Sequence, residues 1–224
     1  AHAIAPLTII EARVLGVLAE KQYTVPDIYP LSLNALVAGC NQKSSRDPVL
    51  ELAEADVITA IDRLKGDTLI VESSGGRVAR YAHNLQRVLQ VPSEAVALLA
   101  VLMLRGPQTP GELRINSERL HRFSDVSSVE GYLHELADRA AGALVMSLPR
   151  APGSREIRWA HLLCGQDAGG LASGGVRTNP AGRDEAGAAL EMRIAALEAQ
   201  VGTLKADVAA LRTRIAGSGN ESGA

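Results

Sequence analysis

The sequence is poor in aromatic residues, cysteines and long apolar runs, and each shortage excludes a class of protein. One Phe, one Trp and four Tyr in 224 residues are too few for the stacked aromatic platform of many single-strand binders. Cys40 and Cys164 alone make neither a disulfide framework nor a four-cysteine zinc site. The longest apolar run, residues 95–104, is about half of a membrane span. A net charge of −2 excludes a protein that is basic overall, but not a local basic patch.

Signatures of catalysis and cofactor binding are also missing. The chain has no P-loop, no dinucleotide-binding glycine motif, no zinc-protease motif and no nucleophile elbow. Its five histidines lack the spacing of metal ligands, and we expect capping or half-buried roles for His83 and His161. We therefore expect a protein that is not an enzyme and that has no catalytic residue, metal or cofactor. No basic signal region precedes an apolar stretch, which favours a cytoplasmic protein without a membrane partner.

Glycine divides the chain into a globular region and a C-terminal helix. Seven of the 23 residues at 165–187 are glycine and large apolar residues are scarce, a composition typical of a flexible linker. We predict a coiled-coil helix over residues 188–216 and a disordered tail over residues 217–224.

The globular region is predicted to contain two copies of one unit. In residues 7–90, three helical stripes of apolar residues precede an alternating hairpin, and residues 91–164 repeat this order. The stripe of the third helix is Val57, Ile61 and Leu64 in the first copy and Val129, Leu133 and Leu136 in the second. The hairpins end alike, as Arg80-Tyr81-Ala82-His83 and Arg158-Trp159-Ala160-His161. Because side chains alternate along a strand, the arginines of these segments are predicted to face solvent while the neighbouring aromatic rings cover the core. The order helix–helix–helix–hairpin is that of a winged helix, a helix-turn-helix variant. We therefore predict a mainly α protein with small β wings, made of two tandem winged-helix domains.

Capping-box spacing predicts where three of these helices begin. A hydroxyl followed three residues later by a glutamate can satisfy two free amides at a helix start. The pairs are Thr8 with Glu11, Thr109 with Glu112, and Ser127 with Glu130.

Residues 98–104 are apolar on every face of the predicted helix, which is typical of a buried helix. We predict that this helix packs against the first domain or a partner chain. Val96, Leu99, Leu102 and Met103 are assigned to the core of the second domain, and Leu98 and Val101 to the contact with the first.

Several motifs resemble the YceH-like family of uncharacterised bacterial proteins. They include Tyr29-Pro30-Leu31-Ser32, Cys40-Asn41-Gln42-Lys43-Ser44, Arg46-Asp47-Pro48-Val49 and Gln108-Thr109-Pro110-Gly111-Glu112. The resemblance covers about residues 7–164 and implies two winged-helix domains in a bacterial cytoplasmic protein, but no established activity. Where the resemblance leads us to expect a serine cap before the third helix, the chain has Ala53, a weak N-cap.

The C-terminal helix carries a heptad repeat with Leu at every d position and a β-branched residue at every a position. This combination favours a parallel two-stranded coiled coil, and hence a homodimer. An antiparallel pair, or a helix that folds back onto its own domains, remains open. The predicted dimer seam consists of Leu190, Ile194, Leu197, Val201, Leu204, Val208, Leu211 and Ile215.

Charge separates the predicted third helices from the hairpins. Residues 53–67 and 125–139 carry net charges of −2 and −3, whereas residues 71–90 and 143–164 each carry +2. Acidic helices oppose binding to phosphates, so a nucleic-acid contact would use the hairpins. Simple solvation of the arginines is the alternative. The candidate hairpin contacts are Arg77, Arg80, Arg150, Arg155 and Arg158.

The polar loop at residues 41–48 is a second candidate. Lys43 and Arg46 could bind a phosphate or a partner's carboxylate. A structural role, in which its side chains cap helix ends and set a turn, is the favoured interpretation.

Together these patterns predict a cytoplasmic, dimeric, tandem winged-helix protein that binds double-stranded DNA or regulates transcription. The alternative is an adaptor that uses its winged helices to dock another protein.

Overall fold

The computed structural model describes residues 5–73, 78–150 and 156–165, which lie within one compact unit, Ala1–Gly174. The helices are α1 (Ile9–Thr24), α2 (Leu33–Cys40), α3 (Glu54–Gly66), α4 (Leu85–Leu89), α5 (Ser93–Arg105), α6 (Pro110–Asn116) and α7 (Val126–Ala137). The strands are β1 (Leu31–Ser32), β2 (Ile70–Ser73), β3 (Arg80–His83), β4 (Val145–Ser147) and β5 (Trp159–His161). A 3₁₀ turn, Pro26–Ile28, precedes β1. The mainly helical class with small antiparallel sheets is confirmed.

Two of the three predicted capping boxes are formed. The Glu11 amide donates to Thr8 Oγ1 at 3.2 Å, and the Thr8 amide donates to Glu11 Oε2 at 2.8 Å. Thr109 and Glu112 form the same reciprocal pair at 3.2 and 2.9 Å. Both helices therefore begin where the sequence predicts.

The predicted start of α7 at Ser127 is wrong. Asp125 is the N-cap, and its Oδ1 accepts the Ser128 amide at 2.7 Å. An aspartate caps as well as a serine does, so it competes with the hydroxyl two residues later. The predicted buried stripe of Val129, Leu133 and Leu136 is confirmed.

The start of α3 has only half of a capping box. Ala53 offers no side-chain acceptor, whereas the Asp56 carboxylate accepts the Ala53 amide at 3.0 Å. The expected weak cap is therefore present, because one amide of the first turn lacks the side-chain acceptor that serine would supply.

The first hairpin belongs to a three-stranded antiparallel sheet in the order β1-β3-β2. Leu31 pairs with Tyr81, and Ile70 pairs with His83 at the other edge. The second hairpin, β4-β5, is accompanied by an isolated antiparallel bridge between Gln108 and Trp159. Each hairpin thus pairs with the segment that immediately precedes the second helix of its half.

A continuous apolar core runs through both halves of the described chain. Helix α5 contacts α1 more extensively than it contacts any other element, and all its residues from Ala95 to Leu104 are buried. The predicted packing of this helix against the first half is confirmed.

The assignment of Met103 needs correction. A Cβ atom on Gly16 would lie 2.9 Å from Leu104 Cγ and 3.3 Å from Met103 Cβ. Met103, assigned to the core of the second half, therefore faces α1. The sequence could not reveal this, because an all-apolar helix carries no polar stripe that fixes its rotation.

Cys40 is fully buried, as expected of a small core residue, whereas Cys164 is half-buried at the edge of the core. Burial raises the pKa of each thiol to about 12, so both stay protonated at neutral pH.

Candidate functional site

The loop at residues 41–48 is held by a buried arginine. The Arg46 side chain is 0% exposed, and its Nη1 and Nη2 atoms bind the Glu20 carboxylate at 3.1 and 2.7 Å. The same guanidinium donates to the Gly39 carbonyl and to Gln42 Oε1. Burial alone would raise the pKa of Glu20, but the hydrogen bonds and charge of Arg46 outweigh it and hold that pKa below its usual value.

Arg46 therefore anchors the loop and cannot reach a phosphate, which corrects its place among the candidate contacts. Arg13 acts from α1 in the same way, because its side chain donates to the carbonyls of Cys40 and Pro48 at the two ends of the loop. Lys43 remains exposed. The structural interpretation of the loop is therefore correct for Arg46. Lys43 remains the candidate contact of this loop with a phosphate or a partner's carboxylate.

The exposed face of α3 is acidic. Glu54, Asp56 and Asp62 are exposed. The two cations of the helix are already paired: Arg63 binds Glu11 at 3.2 Å, and Lys65 binds Glu72 on β2. Both positive charges of this helix are therefore already compensated by a carboxylate, which leaves little attraction for a phosphate.

Helix α7 has the same character. Glu130 and Glu135 are exposed, and Asp138 follows the helix on the surface. The nearby Arg139 donates to the carbonyls of Leu89 and Gly142. Both third helices therefore present negative charge, as the sequence predicts.

The described hairpin arginines lie on the surface, whereas the aromatic residues beside them point inward. Arg80 is exposed, and its Nη1 donates to the carbonyls of Ile28 and Pro30 at 3.3 and 2.9 Å. Tyr81 packs partly against the core, and Trp159 is buried in it. The predicted alternation is confirmed in both hairpins.

The other hairpin arginines differ in their partners. Arg158 Nη2 lies 2.6 Å from Glu112 Oε2, in a pair that is about half exposed on each side. Arg150 is exposed and forms no hydrogen bond or ion pair with the described part of the chain. Arg77 and Arg155 lie outside the described residues, as do the eight seam positions from Leu190 to Ile215.

His83 and His161 occupy matching places at the ends of the two hairpins. His83 Nδ1 accepts the Leu85 amide at 3.3 Å, which confirms the capping role that was expected of it. Burial lowers the pKa of each imidazole to about 4, so both are neutral at pH 7. His83 Nε2 and His161 Nδ1 are buried and find no hydrogen-bond partner among the described residues.

Over residues 5–73, 78–150 and 156–165, no three His, Cys, Asp or Glu side chains are grouped as a metal site would require. Nor does this part of the chain contain a helix that is both long and apolar enough to cross a bilayer.

Sequence reasoning missed a polar groove between α1, the 41–48 loop, the end of α5 and the segment that follows α6. It has a volume of about 150 Å³, and Lys21, Arg105 and Arg119 contribute its positive charges. We refer to it as the basic groove. Its residues come from four separate stretches, so no local motif could have indicated it.

The chain is similar to known bacterial proteins along most of its length. Residues 7–154 match a family described as "Protein of unknown function, DUF480". A UPF0502 protein of Leptothrix cholodnii is 64% identical over 177 residues, covering 79% of each chain. A UPF0502 protein of Burkholderia orbicola is 56% identical over 199 residues, 87% of this chain and 84% of that one. A UPF0502 protein of Acidovorax sp. is 57% identical over 192 residues, 84% of this chain and 85% of that one.

Proposed function

Since this chain belongs to the DUF480 family, whose function is unknown, we propose a function from its own residues: a non-enzymatic, tandem winged-helix regulator that binds double-stranded DNA through its hairpins. Membership of this uncharacterised bacterial family agrees with the resemblance to the YceH-like proteins. A cytoplasmic location is part of the proposal.

The repeated order of elements supports the tandem winged helix. Helices α1, α2 and α3 precede β2-β3, and helices α5, α6 and α7 precede β4-β5. In each half, the segment just before the second helix pairs with the second strand of the hairpin: β1 pairs with β3, and Gln108 pairs with Trp159 of β5. We assign the first domain to residues 7–90 and the second to residues 91–164.

The distribution of surface arginines is the observation that carries the DNA proposal. Arg80, Arg150 and Arg158 are exposed on the hairpins, although Arg158 is in a half-exposed ion pair with Glu112. Both third helices present carboxylates, and the two cations of α3 are paired. A duplex would be repelled by α3 and α7 and attracted to the hairpins. Contacts of this kind reach the phosphate backbone and give little sequence readout.

Titration of a labelled duplex at about 50 and about 200 mM salt tests this mode. Three phosphate contacts give a slope of about −2.7 in log affinity against log salt, or about a 40-fold loss over this range. We expect Arg150→Ala to make the slope less negative by the share of about one phosphate contact, since Arg150 has no partner in the described chain. Arg122→Ala is the matched control, because Arg122 is exposed but lies outside the hairpins. Absence of binding at 50 mM salt contradicts the proposal.

The C-terminal helix supplies the proposed means of dimerisation. Its heptad seam would hold two copies together, and two tandem units would then present four hairpins to one duplex. Because the linker at residues 165–187 is rich in glycine, the units would keep freedom to adjust to their target.

An adaptor that docks another protein is the second candidate, and the third helices favour it. Ile58 on α3 is 40% exposed and Val126 on α7 is 38% exposed, each on an acidic surface. An exposed apolar residue on an acidic helix suits a partner whose apolar patch has a basic rim. A chain that fails to bind duplex DNA, but loses a co-purifying protein on Ile58→Glu substitution, would support this function instead.

A further inference from the structure

We propose that the basic groove binds a small phosphate-bearing anion through Lys21, Arg105 and Arg119. Among the described residues, none of the hairpin arginines lines this groove, and the proposed site does not depend on the proposed binding of DNA. It would make the protein responsive to a soluble ligand.

The positive charges of the groove exceed its negative charge. Within the described part of the chain, Glu20 is the only carboxylate among the lining residues. That carboxylate is already bound by the buried Arg46 at 2.7 Å. Lys21 Nζ lies 3.5 Å from the same carboxylate, so one negative charge faces two cations before Arg105 and Arg119 are counted. In a chain with a net charge of −2, such a local excess favours an anionic ligand.

The donors retain capacity for a ligand. Arg105 Nη2 donates to Ser45 Oγ at 2.7 Å, a neutral partner that leaves its charge uncompensated. Arg119 is exposed and forms no hydrogen bond or ion pair with the described residues. Lys21 has a side chain only 17% exposed and donates to Gln42 Oε1 at 3.3 Å, which holds it in place. Two guanidinium groups and an ammonium are the side chains that proteins use to bind phosphate.

The size of the groove restricts the ligand. Its volume of about 150 Å³ is below the range of about 300–1,000 Å³ that is typical of sites for drug-sized molecules. A phosphate group fits such a space, whereas the rest of a larger ligand would remain outside it. Because Lys21 is little exposed, a small ligand that enters the groove can reach it more easily than the phosphates of a duplex can.

Calorimetric titration of the full chain with inorganic phosphate at low salt tests the site. We expect saturable binding of one phosphate per chain, weakened about tenfold or more by Arg119→Ala through loss of a charged hydrogen bond. Arg122→Ala is the matched control, because Arg122 is 86% exposed, lies three residues away and does not line the groove. It should bind phosphate as the unsubstituted chain does. Both side chains are exposed, so neither change should affect folding.

A parallel titration with duplex DNA separates the two possible sources of phosphate. We expect Arg119→Ala to bind duplex as tightly as the unsubstituted chain, if that chain binds duplex at all. The proposal is overturned if phosphate shows no saturable binding up to about 10 mM, a concentration that would detect millimolar affinity. It is also overturned if Arg119→Ala and Arg122→Ala weaken phosphate binding equally, or if Arg119→Ala weakens duplex binding as much as phosphate binding. The phosphate arm gives its answer even if the chain binds no DNA.

Discussion

At the scale of single residues, the charges of the 41–48 loop divide into a buried group and an exposed one. Arg46 is enclosed with Glu20, whereas Lys43 points to solvent. Removal of one partner from a buried ion pair leaves the other without compensation, which typically costs about 3–5 kcal/mol. We therefore expect Arg46→Ala to lower the free energy of unfolding by about that amount, measured by urea denaturation.

Lys43→Ala is the control for that experiment, since a change at an exposed position usually alters stability by less than about 0.5 kcal/mol. If the two variants unfold at the same urea concentration, Arg46 does not anchor the loop. The sequence showed that this loop is polar but not which of its cations is buried. That depends on Glu20, which lies 26 positions earlier in the chain and meets Arg46 only in the folded protein.

The two hairpin histidines predict a pH dependence of stability. The pKa of each imidazole is about 4 in the folded chain and about 6.5 when unfolded. Between these values the unfolded chain binds more protons, so stability falls as the pH drops from about 6.5 towards 4. Each of these pKa shifts corresponds to a loss of about 3 kcal/mol at most in the free energy of unfolding.

Urea denaturation at about pH 7 and about pH 4.5 measures this loss. A His83→Asn, His161→Asn double variant lacks both titrating groups and should lose less stability over the same interval. An equal loss in the two chains would show that other groups cause the acid sensitivity.

At the scale of helices and strands, glycine is required where α1 and α2 cross. A Cβ atom on Gly39 would lie 2.6 Å from Cγ1 of Val17, a buried β-branched residue that cannot rotate away freely. Overpacking costs about 1–3 kcal/mol, more than the helix propensity that alanine gains. We expect Gly39→Ala to destabilise the chain, as measured by thermal unfolding.

Gly131→Ala should have the opposite effect on stability in the same thermal unfolding experiment. Gly131 lies inside α7, and a Cβ atom there would have no atom of the described chain beyond its own helix turn within 4 Å. Alanine should therefore stabilise the chain by up to about 1 kcal/mol. Stabilisation by both substitutions would contradict the close approach of α1 and α2.

The elements that could be predicted from the sequence are those in which apolar residues recur with the period of a helix or a strand. The buried stripe of Val57, Ile61 and Leu64 and the alternation in both hairpins needed only local periodicity. β1 has two residues and α4 has five, too few for either period to be visible. The start of α7 was missed because Asp125 and Ser127 are equally good caps, so local preference does not choose between them, and Asp125 is the one used.

At the scale of the whole molecule, the sequence predicted that α5 is buried. It did not predict the basic groove, one side of which is formed by the end of this helix. The apolar run from Ala95 to Leu104 required a partner surface, and α1 supplies it. The end of this helix also places Arg105 beside Ser45 and one side of the basic groove. Such a site depends on how distant segments meet, and no spacing within a single sequence specifies that.

The oligomeric state is the last property to be tested at this scale. If the heptad seam pairs two chains, the 224-residue chain should sediment at twice its mass of 23.5 kDa, and a chain truncated after residue 187 should be monomeric. A charge at a d position is buried in a coiled coil and would break it, so Leu204→Glu should also give a monomer. Ala199→Glu at an outward position is the control and should remain dimeric. If the 224-residue chain sediments as a monomer, the helix folds back or stays single, and the hairpins would then bind DNA without avidity.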